Sequence, residues 1–119
     1  MKQYRRSDRL QEQILRELGS TLDQELLERF KGLVSFTRVR LSNDLRNATI
    51  YYSYLGNPDV KERLAAYFED EKGHIRSLIG KGLTIRHIPE LLFKYDPSIE
   101  EGIKMEELFK QMKNGRDEE

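Results

Sequence analysis

Within residues 72–87 (KGHIRSLIGKGLTIRH) stand four Lys or Arg, both histidines of the chain, three glycines and no carboxylate. Such residues can cradle a nucleotide phosphate on a glycine-rich loop, ligate a metal through imidazole, or line up cations against a nucleic-acid backbone. A P-loop fails on spacing. Gly80-Lys81 looks like the end of G-x-x-x-x-G-K-[ST], but six residues separate Gly73 from Gly80 and Gly82 stands where Ser or Thr is needed. A metal centre fails on partners, because His74 and His87 are thirteen apart and the chain has no cysteine. Ser77 lacks the sharp strand-to-helix turn of a nucleophile elbow, and Glu100-Glu101 and Glu106-Glu107 read as solvated helix positions. No catalytic constellation is left, so the chain reads as a non-enzyme without cofactor or metal.

Net charge conceals the distribution of the cations. The 119 residues sum to zero, yet residues 1–16 carry +3, 59–71 carry −3, 72–87 carry +4 and 98–119 carry −3. A basic patch assembled from separate segments is compatible with that balance. Cysteine is absent, which excludes a disulfide framework. No apolar run reaches the length of about 18 residues that a membrane helix needs. The opening MKQYRRSDRLQEQ carries cations but no apolar core of a secretory signal. A soluble, cytoplasmic, single-domain monomer is the expectation.

Positioning those cations requires elements, and the periodicity supplies them. Leu10, Ile14, Leu18, Leu22 and Leu26 recur every fourth residue, predicting an amphipathic helix capped by Ser7-Asp8 and ending near Phe30-Lys31-Gly32. Residues 33–41 and 48–55 read as the strands of a hairpin around a polar turn at 42–47. The first strand changes phase near Thr37-Arg38, because Val34 and Phe36 sit on even positions and Val39 and Leu41 on odd ones; a β-bulge is expected there. Residues 48, 50, 52 and 54 line one face of the second strand. A helix is expected after Pro58-Asp59, with Gly73 interrupting it as two segments, and Leu83, Ile85, Leu91, Phe93 and Tyr95 suggest a strand disturbed by Pro89. Ser98 to Glu101 has a capping-box pattern ahead of a short terminal helix. Tyr4 suits a hydrophobic anchor before the first helix. The order is α-β-β-α-(kink)-α-β plus the short helix: an α+β domain over residues 3–112, its three-stranded sheet covered on one face by helices, with 113–119 as a disordered tail.

The kink is where binding could occur. A glycine break would leave the backbone N–H groups after Gly73 unpaired, favouring phosphate, with Arg76 in the first turn and Lys72, Lys81 and Arg86 nearby. The other reading is a simple turn with solvated cations, and spacing leaves both open. Arg5, Arg6 and Arg9 likewise fit either nucleic-acid contacts or an ordinary basic start. Tyr51 and the other tyrosines are strand residues first, base stacking being the lesser reading.

YRRSDRLQEQILREL, TRVRLSNDLRNATIYYS, IRSLIGKGL and IPELLFKYD together resemble the bacterial ribosome-binding factor A family, from about residue 3 to 112. The resemblance implies a type II KH-like fold. It implies a cytoplasmic, non-catalytic factor that binds the small ribosomal subunit and 16S rRNA in late assembly. It further implies a part in 5′-end maturation and in growth in the cold, with assembly GTPases among the agents of release. KH domains clamp RNA with a GxxG loop; the family has Ala-x-Gly there, and this chain has Glu71-Lys72-Gly73. Arg76, Lys81 and Arg86 match basic family positions and are the expected RNA contacts, with alanine there expected to leave thermal stability nearly unchanged. The runner-up is an adaptor that docks on a ribosomal protein or assembly GTPase through its acidic end, without touching rRNA.

Overall fold

Apolar residues at every fourth position draw the first helix, α1 (Arg6–Phe30), along the sheet: Leu10, Ile14, Leu18, Leu22, Leu26 and Phe30 are all buried. The computed structural model describes residues 5–117, so Tyr4 and the extreme ends of the chain lie outside the described residues. Strands β1 (Leu33–Leu41) and β2 (Asn47–Leu55) follow α1, then a single 3-10 turn at Pro58–Val60, α2 (Lys61–Gly80), β3 (Glu90–Tyr95) and α3 (Ser98–Asp117). The start of α1 lies two positions ahead of the expected Ser7 cap. Arg5 is the N-cap, and Asp8 reaches back so that its Oδ2 accepts from the Arg5 N–H at 2.9 Å.

The strands lie in the order β1-β2-β3, with β1–β2 antiparallel and β2–β3 parallel. One face carries Val34, Val39, Ala48, Ile50, Tyr52, Tyr54 and Leu91, all buried under α1 and α2. This is the α+β, KH-like arrangement expected. The register slips between Phe36 and Arg38, as the apolar phase required. Thr37, the extra residue, places its hydroxyl 2.7 Å from Asp96 Oδ2, just beyond β3. That hydrogen bond and the Ser98 N–H hold the Asp96 carboxyl below its usual pKa. One bulge residue on β1 therefore fastens the far strand and the start of α3.

Gly73 does not break α2. The helix is unbroken from Lys61 to Gly80, and its buried Leu64, Phe68, Ile75 and Ile79 stay in phase across the glycine. Seven residues from Phe68 to Ile75 make two turns, so the core favours one continuous rod over a bend. The N–H groups after Gly73 are consumed inside the helix, and no phosphate-binding helix end exists there. Residues 83–85 do not join β3 either. Proline supplies no donor for a ladder bond, and the strand begins only at Glu90, after the buried Pro89.

The last helix is longer than the short one expected, running through Met112 to Asp117, in a stretch that holds no proline. Its base is tied by Lys61 Nζ to Glu100 Oε1 at 2.6 Å, and by Asp96 Oδ1, which accepts from the Ser98 N–H at 3.0 Å. Residues 101–113 are otherwise exposed. The radius of gyration is 17.6 Å, against about 13–14 Å for a compact chain of this length. The excess reflects α3 projecting from the body.

A β-carbon on Gly73 would meet nothing within 4 Å. Gly73→Ala is therefore expected to raise stability by about 1 kcal/mol in chemical denaturation. A loss of stability would show that the position needs glycine after all.

Candidate nucleic-acid interface

A basic concavity lies where the start of α1, the 42–47 turn and the 81–89 loop converge. It encloses about 870 Å³, and Arg6, Arg9, Arg46, Arg76 and Arg86 line it against the carboxylates Asp44 and Glu90. Each arginine arrives by a separate local rule. Arg6 and Arg9 stand three residues apart at the start of α1, and both line the concavity. Arg46 sits in a hairpin turn built by Ser42, whose Oγ donates to Asp44 Oδ1 at 2.7 Å and accepts from the Asn47 N–H at 3.0 Å. Asp44 also accepts from the Arg46 N–H at 3.1 Å, and the Ser42 hydrogen bond, foremost, holds its carboxyl below the usual range. Leu45 adopts φ 60°, an unusual conformation for a bulky side chain, in the same turn. The Arg46 carbonyl accepts from the Glu90 N–H at 2.8 Å, joining the turn to β3.

Arg76 plays a different part from the one its charge suggested. Its Nε donates to the carbonyls of Ile88 and Pro89, each at 3.1 Å, and its Nη2 also donates to Ile88. Glu90 Oε1 lies 3.8 Å away. The guanidinium is the clasp that holds the 81–89 loop onto α2. Two glycines lie against the same wall: a β-carbon on Gly80 would fall 2.0 Å from Ile88 Cδ1, and one on Gly82 would fall 2.3 Å from the Glu17 carboxylate, so either side chain would have to shift. GKG is a packing motif, not a phosphate loop. Arg86 is exposed on the loop so fixed.

The cations predicted from sequence thus divide. Arg6, Arg9, Arg76 and Arg86 meet at the groove. Arg5 is the exposed N-cap beside it, and exposed Lys81 is the C-cap of α2; neither lines the concavity. Lys72 is not free, since its Nζ pairs with Glu69 Oε1 at 2.7 Å. Gly73 is an exposed mid-helix position. Sequence reading missed Arg46, which stands among turn residues and gave no periodic signal. Among the described residues, Arg6, Arg9, Arg46 and Arg86 make no salt bridge. Cations left unpaired around a concavity suit phosphate oxygens. The described residues contain no group of three or more His, Cys, Asp or Glu able to hold a metal, and no helix long and apolar enough to cross a membrane.

The expectation that alanine at Arg76 spares stability is corrected by this geometry. Arg76→Ala strands partly buried carbonyls and should cost about 1–3 kcal/mol in denaturant unfolding. Arg86→Ala, at an exposed loop position, should stay within about 0.5 kcal/mol of the parent. Equal stabilities for the two variants would remove the clasp assignment.

Residues 6–109 match the family pattern described as Ribosome-binding factor A. The chain is 39% identical over 112 residues to ribosome-binding factor A of Natranaerobius thermophilus, covering 94% of this chain and 86% of the relative. It is 38% identical over 109 residues to that of Geobacter metallireducens, covering 92% of each. Among solved structures, a Thermotoga maritima protein studied in solution aligns at 32% identity with a TM-score of 0.52, over 74% of this chain and 80% of its own. The crystal structure of ribosome-binding factor A from Thermus thermophilus shares the fold at 19% identity and a TM-score of 0.64, over 75% of this chain and 94% of that one. By pattern, identity and extent of match, this chain belongs to the ribosome-binding factor A family.

Proposed function

We propose that the chain is a ribosome assembly factor that docks its arginine-lined groove on 16S rRNA of the free small subunit. The observation that carries the reading is the convergence of Arg6, Arg9, Arg46 and Arg86, all without salt bridges, on a groove whose wall is clasped by Arg76. Rigid placement matters here, because phosphate contacts fix register only when their donors are held in fixed relation. The protein acts in the cytoplasm as a monomer, by binding rather than catalysis. It assists late maturation and 5′-end processing of 16S rRNA, including during growth in the cold, and assembly GTPases take part in its release.

A second reading has one observation in its favour. Met105, Leu108, Phe109 and Met112 are each more than half exposed along the projecting α3, as an adaptor docking on a ribosomal protein or assembly GTPase would require. Salt separates the two. Co-sedimentation with small subunits should weaken with salt at a log–log slope of roughly −3 to −4, as about four phosphate contacts demand. Alanine at Arg6, Arg9, Arg46 and Arg86 should flatten that slope and reduce binding. Binding that keeps its slope in this variant, but disappears when residues 98–119 are removed, would favour the adaptor.

A further inference from the structure

The face of the sheet turned away from α1 and α2 has cations and an aromatic ring in register. The pairings set Arg38, Tyr51 and Lys94 in one row across the three strands, and Arg40, Thr49 and Leu92 in the next. The Arg38 guanidinium carbon lies 4.0 Å from the Tyr51 ring centroid, stacked over it. Arg38, Arg40, Lys94 and Leu92 are exposed and Tyr51 is half-buried. Arg38, Arg40 and Lys94 make no salt bridge among the described residues. Arg38 contributes to the field that lowers the Asp96 pKa, but Asp96 spends its oxygens on Thr37 and Ser98.

The bulge is the reason this row exists. Without the extra residue at Thr37, the alternation that buries Val34 would turn Arg38 toward the core. With it, Val39 goes in while Arg38 and Arg40 come out. A bulge re-aims side chains, and here it sets a planar cation on an aromatic ring.

We propose that this open face is a second RNA site that takes an unpaired, single-stranded segment. One base stacks on the Arg38–Tyr51 pair, and Arg40 and Lys94 meet the flanking phosphates. Arg40 stands about 7 Å along the strand from Arg38, and Lys94 about 5 Å from Tyr51 on the neighbouring strand. Both spacings allow phosphate contacts on either side of one stacked base. Stacking on an aromatic or guanidinium plane requires a base freed from its helix, so duplex RNA has nothing to offer the pair. The site adjoins the groove, because Glu90 lines the groove and begins the next outward row opposite Asn47. This inference rests on the RNA-binding reading of the groove and extends it to the kind of RNA bound.

The test uses the full chain with three labelled probes in fluorescence anisotropy: a single-stranded RNA of about ten nucleotides, an abasic strand with the same phosphates, and a duplex of equal length. The unsubstituted protein should bind the base-bearing strand at least about fivefold more tightly than the abasic one. Combining Tyr51→Val with Arg38→Lys keeps charge and strand propensity but removes both planes, and should erase that preference while abasic binding stays within about twofold. Arg38→Lys alone serves if the pair of substitutions unfolds the protein, and should reduce the preference. A preference that survives in the folded variant, or one never present in a protein whose groove arginines are needed for subunit binding, overturns this site alone. Failure of every probe, together with subunit binding indifferent to the groove arginines, overturns the RNA reading beneath it. Variants that lose subunit binding with RNA affinity unchanged would assign the face to protein contact, and overturn the site too.

Discussion

One guanidinium holds the arginine-lined end of this molecule together. Arg76 is carried on α2 by a buried stripe that keeps phase past Gly73, and it donates to the carbonyls of Ile88 and Pro89 across the chain's longest irregular connection. Those carbonyls precede β3 and have no ladder partner of their own. By satisfying them, Arg76 fixes where the loop ends, where the parallel strand begins and where Arg86 is presented. Charge-assisted hydrogen bonds suit the task, since they hold geometry in a partly wet site better than apolar contact alone. Ile88 seated against Gly80, and Glu17 against Gly82, complete the same wall. The acid-free run of residues 72–87 therefore has a mixed explanation: some of its cations build the site, and others are displayed by it.

The fold is a single layer of helices on a single sheet, which leaves its margins and one sheet face open. A small domain of this kind has one covered face. Its core is the stripe of α1, the α2 stripe and one face of each strand, leaving a sheet end and an open sheet face available. The groove uses the first. The β1 bulge dresses the second, and through Thr37 and Asp96 it also fixes the start of α3. A local irregularity in one strand thus links three otherwise separate parts of the surface.

Much of this was legible in the residues. The every-fourth-residue pattern of α1 and the slipped phase of β1 are signals read directly from apolar positions, and the structure has both the buried stripe and the register shift. The expected Gly73 break fails on the same kind of signal, because the seven-residue interval from Phe68 to Ile75 keeps the buried stripe in phase across the glycine. Arg76 could not have been read correctly from spacing, because its partners lie twelve and thirteen residues onward and meet it only after β3 is placed. Arg46 was hidden for a related reason, since a turn has no period to reveal which way it faces. Lys72 is not available because Glu69, three residues earlier on the same helix, belongs to an acidic run in the sequence but pairs with Lys72 in the fold.

Hydrogen exchange on the protein, free and bound to small ribosomal subunits, tests directly whether rRNA meets the groove rather than the middle of α2. Docking on the groove should give new protection at residues 5–10, 44–47 and 84–88 on binding, with residues 69–77 unchanged. Protection concentrated at residues 69–77, with the groove exchanging as in the free protein, would contradict it.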